Sequence, residues 1–423
     1  MRVHRRIASL GAILMTAALI AAGAVVLTSA PAGAVTVSTE AELQAAFGSA
    51  VETEIVLAND VDLTCGGGGD LTRANATSVT IMGNGFAINQ TCAGQRVMDK
   101  NAGGGTLTLD GVTLTGGDTS GDGGAVRALG TNVVITSSTI TGNTTSSAGF
   151  GGGAVLAGGD VTVTGSTISD NHATAHQGGG IWSSSNVSIA SSTFSGNTAS
   201  GFAGAVFASG DVTVDSSTFS ENSGSSGGAI TTSGGVVLTN STLSNNVATD
   251  SGGAIRTLGA DATLVYSTVV QNSSPSGANV AIDGVLHSFG SVVALPAGGG
   301  ENCAVDSSAS NGYNFSDDAS CGFGATGDRE SAGDPDLGAL ADNGGPTATR
   351  LPGSTSPLLD AIPTVACQDD GAAGVTTDQR GVSRPQGSAC DIGAVEVEVA
   401  APPTPPPSPP AAGPLIAVIT FTG

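Results

Sequence analysis

Cationic side chains are scarce in this chain of 423 residues. It has 12 Lys and Arg residues against 35 Asp and Glu residues, its formal net charge is −23, and Lys100 is its single lysine. A surface this acidic repels nucleic acids and anionic membranes, so the composition excludes functions that bind polyanions. Such a surface would tolerate Ca²⁺, but tolerance is not evidence for a site, and no cofactor is predicted.

Proline is missing from a long internal stretch, because none occurs between Pro31 and Pro275. A strand inside a sheet uses its backbone N–H in the ladder, and proline has none, so stacked strands require such a gap. Aromatic residues make up only 3% of the chain, whereas there are 66 glycines. Such a composition also occurs in disordered chains, but the alternation of β-branched residues in the repeats described below argues against disorder.

The first 34 residues have the parts of a secretory signal peptide. Basic residues open the chain, an apolar run extends from Ile7 to Leu27, and Ala32 and Ala34 occupy the small-residue positions of a cleavage site. We therefore expect residues 1–34 to be removed on export. Loss of their three arginines makes the net charge three units more negative.

A phrase of four residues, Gly-Gly-Ala-Val/Ile, recurs in the middle of the chain. It begins at residues 123, 152, 227 and 252, with looser copies at 178 and 203, so successive copies lie 24–29 residues apart. A second phrase, Ser-Thr-apolar-x-x-Asn, ends at Asn143, Asn171, Asn197, Asn222, Asn246 and Asn272. Between the two phrases lie alternating segments such as NVVIT and DVTVT. A fixed period of this length without helical periodicity predicts an all-β fold, a parallel β-helix over residues 65–296.

The repeat also predicts how each coil is built. We expect three short strands per coil, stacked about 4.8 Å apart, with eight or nine coils between Val79 and Val293. The repeated apolar positions should stack inward, and the terminal asparagines should form a turn column whose amides bond to the coils above and below. An open end of such a stack must be covered. Residues 35–64, with a helix over 40–50, are the predicted N-terminal cap.

Six cysteines in an exported chain indicate three disulfides, although 15 pairings exist. Cys65 and Cys92 lie 27 residues apart, close to one coil, so stacking can bring them within bonding range. Cys303 with Cys321 and Cys367 with Cys390 would brace the C-terminal part. No C-x₂-C motif occurs, and no metal site is predicted from the cysteines.

One column of residues is the predicted binding site. If the Val or Ile of the first phrase faces inward, the next residue faces outward. This column consists of Arg127, Leu156, Trp182, Phe207, Thr231 and Arg256. An exposed stripe with the only Trp and flanking arginines would suit a glycan or peptide. The alternative is that the C-terminal domain or a long loop covers the stripe as a small second core.

Acidic residues give weak candidates for catalysis. Asp170 and Glu221 occupy the same position before the turn asparagine, two coils or about 9.5 Å apart, at the upper limit for an inverting glycosidase. Solvated turn residues are the simpler explanation of the pair. His172 and His176 are expected to be exposed loop residues.

Two acidic pairs in the C-terminal part could assist Ca²⁺. They are Asp317 with Asp318 and Asp369 with Asp370, and neither matches a known calcium loop.

The repeats resemble secreted bacterial right-handed parallel β-helix proteins of the pectate-lyase-like superfamily. The phrases GGA[IV] and F-x-x-N are similar to repeats of polymorphic outer-membrane protein adhesins. NGYNFSDDASCGF, GDPDLGALADNGGPTATRLPGSTSPLLDA and TDQRGVSRPQGSACDIGAVE resemble the choice-of-anchor Q domain, which follows β-helix repeats in secreted or surface proteins. The resemblance implies a right-handed coil and a C-terminal domain over residues 297–398.

A Pro-rich segment, residues 399–414, follows the C-terminal domain, and we expect it to be an extended linker. The apolar tail 415–423 is shorter than the ~20 residues that span a bilayer. We therefore predict no membrane span in the mature chain.

These features predict an exported, non-catalytic, monomeric protein, secreted or at the cell surface. Its partner would be an extracellular polysaccharide or a surface protein, as for an adhesin. The alternatives are a polysaccharide lyase or glycoside hydrolase, which would need carboxylates and a base close together, and a structural spacer.

Overall fold

A computed structural model describes residues 33–367 and 374–398, and these form a parallel β-solenoid. Each coil carries up to four short strands, which we call A, B, C and D in chain order. The sequence predicts three strands per coil. The additional D strands are two to five residues long and, unlike the A and C strands, carry no repeated phrase or apolar alternation that would mark them in the sequence.

A strands follow the Gly-Gly-Ala phrases, and B strands are the alternating segments. The A strands are Leu71–Arg73, Met98–Lys100, Val126–Ala128, Val155–Ala157, Ile181–Ser183, Val206–Ala208, Ile230–Thr232 and Ile255–Thr257. The B strands are Val35–Val37, Glu54–Leu57, Val79–Met82, Thr106–Asp110, Asn132–Thr136, Val161–Thr164, Val187–Ala190, Val212–Asp215, Val236–Thr239 and Ala262–Val265. Two longer strands, Val280–Phe289 and Cys303–Ser310, pass through both positions and join the A and B strands into one 20-stranded sheet.

C strands carry the Ser-Thr-apolar phrase, and D strands follow its asparagine. The C strands are Val61–Leu63, Ala87–Gln90, Thr113–Thr115, Thr139–Thr141, Thr167–Ser169, Thr193–Ser195, Thr218–Ser220, Thr242–Ser244, Thr268–Val270 and Val292–Ala294. The D strands are Asp118–Thr119, Thr144–Thr145, His172–Ala173, Thr198–Ala199, Ser223–Ser226 and Val247–Ser251. The C strands form a ten-stranded sheet, so the stack is slightly longer than the eight or nine coils predicted.

The parallel ladder extends beyond both limits predicted for the coils. It begins at Val35–Val37, inside the segment predicted to be a cap, and it continues through Cys303–Ser310. The first and last strands lack the repeated phrases, which is why sequence periodicity does not include them. The helix Glu40–Gly48 has a capping box between Thr39 and Glu42, and its Leu43 and Phe47 pack into the core.

The core consists of stacked aliphatic columns, as the repeat predicts. The inward residues of six successive A strands are fully buried: Val126, Val155, Ile181, Val206, Ile230 and Ile255. On the C strands, the rings of Phe194 and Phe219 stack 4.8 Å apart with their planes 8° from parallel. Burial of these columns, at about 25 cal/mol per Å² of apolar surface, is the main force that holds the coils together.

Asparagines form a continuous buried ladder along the turn between the C and D strands. The amide Nδ2 of each donates to Oδ1 of the next, over 2.9–3.0 Å from Asn143 to Asn272, and every member is fully buried. Each Oδ1 also accepts the backbone N–H of the preceding asparagine, for example Asn197 N to Asn222 Oδ1 at 3.1 Å. The predicted hydrogen bonding between successive coils is confirmed. Both polar atoms of these amides take part in hydrogen bonds.

A second ladder uses serine hydroxyls at the turn before the C strands. Ser166, Ser192 and Ser217 each accept the backbone N–H of the preceding ladder serine through Oγ, at 3.0–3.1 Å. Each hydroxyl donates to the carbonyl two residues before it. The serine of the second phrase is therefore a structural residue.

The six cysteines join as Cys65–Cys92, Cys303–Cys321 and Cys367–Cys390. The last has its Cα atoms 6.1 Å apart and closes on the short helix Thr364–Cys367. A 3₁₀ helix, Cys65–Gly67, begins at the first bridge. All three bridges lie near the ends of the stack, where a coil has a neighbour on one side only.

The C-terminal segment, residues 337–398, folds back along the C strands. Among its described residues, the only sheet is the antiparallel pair Leu337–Ala341 and Thr349–Pro352. The buried side chain of Gln379 donates to Thr218 Oγ1 at 2.9 Å and accepts from Thr242 Oγ1 at 2.6 Å. This segment therefore covers the outer face of the later C strands.

Within residues 33–367 and 374–398, no helix has the length and apolar character to cross a bilayer. The predicted signal peptide, linker and tail lie almost entirely outside these ranges.

Candidate functional site

The outward residues of the A strands lie in register along one face of the solenoid. From the N-terminal end the column reads Asp99, Arg127, Leu156, Trp182, Phe207, Thr231, Arg256 and Ala281. Leu156, Trp182 and Phe207 belong to a hydrophobic cluster separate from the main core. The strand alternation predicts this outward direction correctly.

The apolar part of the stripe is covered and forms a small second core, as the alternative in the sequence analysis predicts. Leu156 is 1% exposed, and Trp182 and Phe207 are each 8% exposed. The cover comes from loops of the same coils, around residues 150, 176 and 202, because Phe150 packs on Trp182 and Phe202 on Phe207. None of the described residues of the C-terminal segment belongs to this cluster. These loops stack on one another: the N–H of Gly201 donates to His176 O and that of Gly178 to Phe202 O, both at 2.9 Å. Backbone hydrogen bonds therefore connect each of these loops to the next one along the solenoid.

Two aromatic residues of these loops complete what we call the aromatic cluster: Phe150, Trp182, Phe202 and Phe207. The ring of Phe150 lies 4.7 Å from that of Trp182, and Phe207 lies 6.2 Å from Trp182 and 6.5 Å from Phe202. Phe150 is 54% exposed, and it is the only exposed Phe, Tyr or Trp in the described ranges. Phe150 and Phe202 are not among the site residues predicted from the sequence. The signal that could have identified them is an aromatic residue directly before the Gly-Gly or Ala-Gly of two repeats.

Asp122 fixes the loop that carries Phe150. Its Oδ1 accepts from Ser147 Oγ at 2.5 Å, from the N–H of Phe150 at 2.9 Å and from that of Gly151 at 3.3 Å. Burial disfavours the charged carboxylate, but these hydrogen bonds and the nearby Arg127 outweigh that effect and lower the pKa of Asp122. The exposed ring is thus positioned by an ionised side chain of the preceding coil.

The two arginines of the predicted binding column are engaged in ion pairs. Arg127 donates to Asp99 from Nε at 2.9 Å and from Nη2 at 2.5 Å, and this hydrogen bonding raises the pKa of Arg127. Arg256 makes a bidentate pair with Asp283 at 2.5 and 2.6 Å. Thr231, between them, is buried and donates to Ser226 O.

A small cavity of ≈ 200 Å³ opens beside the aromatic cluster. Its lining residues are Ala175, His176, Gln177, Ser200, Gly201 and Phe202. His176 Nδ1 lies 3.2 Å from Phe150 O, which links the cavity to the loop of the exposed ring. His176 is half-buried and not freely exposed as predicted. His172 is also half-buried, lies in a D strand and bonds to Thr198 Oγ1 at 2.6 Å.

Asp170 and Glu221 are exposed residues on the turn before the asparagine ladder. Their φ angles are 53° and 58°, and Gly196, which takes this position in the coil between them, has φ 63°. A left-handed turn conformation accounts for this position in every coil. No Arg or Lys occurs in residues 128–255, so this stretch provides no Arg or Lys side chain that could act together with these carboxylates.

The carboxylates of Asp317 and Asp318 are occupied by hydrogen bonds from the chain. Asp317 accepts from Asn302 Nδ2 at 2.6 Å, and Asp318 accepts from the N–H of Asn302 and from Ser320. Burial opposes ionisation of Asp318, but the hydrogen bonds from Ser320 and Asn302 lower its pKa overall. Within the described ranges, no three His, Cys, Asp or Glu residues form a group that could hold a metal ion. Asp369 and Asp370 lie outside those ranges.

Residues 97–274 match the family model described as the right handed beta helix region. The coils accordingly form a right-handed parallel β-solenoid. A solved structure described as "L. reuteri 53608 SRRP" aligns with 70% of this chain and 99% of its own, at 15% identity and a TM-score of 0.34. No curated protein matches the chain.

Proposed function

We propose that this chain is an exported, non-catalytic binding protein, adhesin-like in character, that holds an extracellular glycan against the aromatic cluster. The observation that carries the proposal is the ring of Phe150, which is exposed to solvent while Trp182 supports it from behind at 4.7 Å. Sugar rings present apolar C–H faces that pack on aromatic rings, and an exposed ring held in place loses little entropy on binding.

The surroundings support binding more than catalysis. A lyase or hydrolase on this face would need converging carboxylates and a base. Arg127 and Arg256, the basic residues of the column, are each paired with an aspartate instead. Asp170 and Glu221 lie on a solvent-exposed turn at the other end of the D strands.

Export and surface location rest on separate features. Three disulfides fit an oxidising environment outside the cytoplasm. The resemblance of residues 297–398 to choice-of-anchor domains and the signal-like residues 1–34 support release to the cell surface or the medium. We expect the C-terminal domain to close the solenoid and the aromatic face to remain free for its partner.

Intrinsic fluorescence tests the proposal directly, because Trp182 is the only tryptophan. Titration of the purified protein with a panel of extracellular polysaccharides should change the Trp182 emission for at least one of them, and Phe150→Ala should abolish that response. Leu129→Ala, which removes an exposed apolar side chain elsewhere, is the control.

The same panel is assayed for depolymerisation. Release of reducing ends or of unsaturated uronates by the wild-type protein, lost in Asp170→Asn or Glu221→Gln, would replace the binding proposal with the enzymatic alternative. A protein that gives neither response would favour the structural spacer.

A further inference from the structure

We infer that the glycan is uncharged and that one of its sugar rings occupies the cavity between His176 and Phe202. This inference rests on the proposed function and specifies its ligand. The cavity of ≈ 200 Å³ is smaller than the roughly 300–1,000 Å³ typical of sites for drug-sized ligands, so it accommodates a single ring and not a whole oligosaccharide.

The lining of the cavity suits hydroxyl groups. Phe202 provides an apolar wall, and the side chains of Gln177 and Ser200 supply an amide and a hydroxyl. Neither of these two polar side chains makes a hydrogen bond to another residue of the described ranges, and Ser200 is exposed. Sugar hydroxyls both donate and accept, as do an amide and a serine hydroxyl, so the groups match in kind.

The lack of nearby cationic residues disfavours acidic sugars at this cavity. Residues 128–255 contain six Asp and Glu residues and no Lys or Arg. The nearest arginine of the outer column, Arg127, already donates two guanidinium N–H groups to Asp99. A carboxylated or sulfated ring would therefore enter a field of its own sign with no guanidinium to receive it.

The cavity and the exposed ring act as one site. His176 contributes to the cavity wall, and its Nδ1 lies 3.2 Å from the carbonyl oxygen of Phe150. A chain that places one ring in the cavity can extend its next ring across Phe150. Two such contacts give an expected Kd on the order of 0.1–1 mM for an oligosaccharide.

The test compares hexasaccharides of equal length: cellohexaose, xylohexaose and mannohexaose as neutral probes and hexagalacturonate as the acidic one. Binding is followed by Trp182 fluorescence at low and at high salt. We expect at least one neutral probe to bind with an affinity that salt does not change, and the acidic probe to bind at least about tenfold more weakly at low salt. Gln177→Ala should weaken neutral binding about tenfold. Val237→Ala, on the exposed face of a B strand, should leave it unchanged.

Each other outcome is decisive. Tighter binding of hexagalacturonate overturns the inference but leaves the proposed glycan-binding function standing. Neutral binding that is unaffected by Gln177→Ala and by Phe202→Leu places the ring outside this cavity and overturns the inference in the same way. If no hexasaccharide and no polysaccharide of the larger panel binds, both the inference and the proposed function are wrong.

Discussion

The ring of Phe150 lies 4.7 Å from that of Trp182, with the two planes 38° apart, although the two residues belong to successive coils. Phe150 comes from a loop and Trp182 from an A strand, so the contact joins the cover of the outer face to the face itself. Because Trp182 is the only tryptophan, its emission reports on this one contact.

Replacing Phe150 should uncover Trp182. In Phe150→Ala we expect a red-shifted emission and stronger quenching by acrylamide, with a loss of about 1 kcal/mol in the free energy of unfolding from the ring pair. Leu129→Ala should show neither spectral change. An emission spectrum of Phe150→Ala identical to that of the wild type would contradict the placement of the ring.

Asp122 should make the shielding of Trp182 dependent on pH. The folded state lowers the pKa of this carboxyl, so its stabilising contribution is present above the pKa of an ordinary aspartate and is lost as the pH falls through the lowered value. We expect acrylamide quenching of Trp182 to rise in that acid range.

Two variants of Asp122 separate the charge from the hydrogen bonds. Asp122→Asn keeps an oxygen acceptor for Phe150 N–H and should lose much of the acid step while retaining shielding near neutrality. Asp122→Ala should expose Trp182 at every pH. An acid step of the same size in Asp122→Asn would assign it to other carboxylates.

A substitution at the centre of the asparagine ladder should lower the free energy of unfolding. Asn222→Ala removes the acceptor of Asn197 Nδ2 and the donor to Asn246 Oδ1, and all of these atoms are buried. We expect a loss of about 2–4 kcal/mol, seen as a lower midpoint in urea or thermal unfolding followed by circular dichroism. The matched control is Asn186→Ala at the exposed turn, which should cost less than about 1 kcal/mol. Equal losses in the two variants would mean that burial of the ladder is unimportant.

Gln379 should hold the C-terminal segment on the C strands. Its amide contacts Thr218, Thr242 and Thr347, and Gln379→Ala removes all three contacts at once. Trypsin is a suitable probe because the chain has few basic residues. We expect faster cleavage after Arg350 and Arg380, both within this segment, and an unchanged rate after Arg127. Cleavage that accelerates at all three sites alike would indicate global destabilisation.

The repeated part of the fold could be predicted because the same physical demand recurs in every coil. A buried turn amide between stacked coils needs a donor and an acceptor at one position, and asparagine supplies both, so the phrase ending in Asn222 or Asn246 recurs. The strands Val35–Val37 and Cys303–Ser310 have a neighbouring coil on one side only. The repetition therefore weakens there, and sequence periodicity underestimates the length of the ladder.

The site could be predicted only in part. Alternation along an A strand determines that Trp182 and Phe207 point outward, but it carries no information on whether a loop folds over them. That depends on how loops of unequal length stack, as in the contact between Gly201 N–H and His176 O. The repeat pattern also cannot predict how the C-terminal segment packs on the C strands, because Gln379 and Thr218 lie 161 residues apart in sequence.

The contacts of the C-terminal segment divide the stack into two parts with different freedom to vary in length. The segment bonds to Thr218, Thr242 and Thr268 on successive C strands and to Gly290 just before the next one. Insertion or loss of a coil there would put every later contact out of register. The described residues of the segment bond to no coil before the one that contains Thr218, so one coil more or fewer on the N-terminal side would only move the N-terminal cap by about 4.8 Å. The aromatic cluster ends at Phe207, in the same coil as Thr218. Its distance from the C-terminal segment is therefore fixed, whereas its distance from the N-terminal cap can change in evolution without redesign of either.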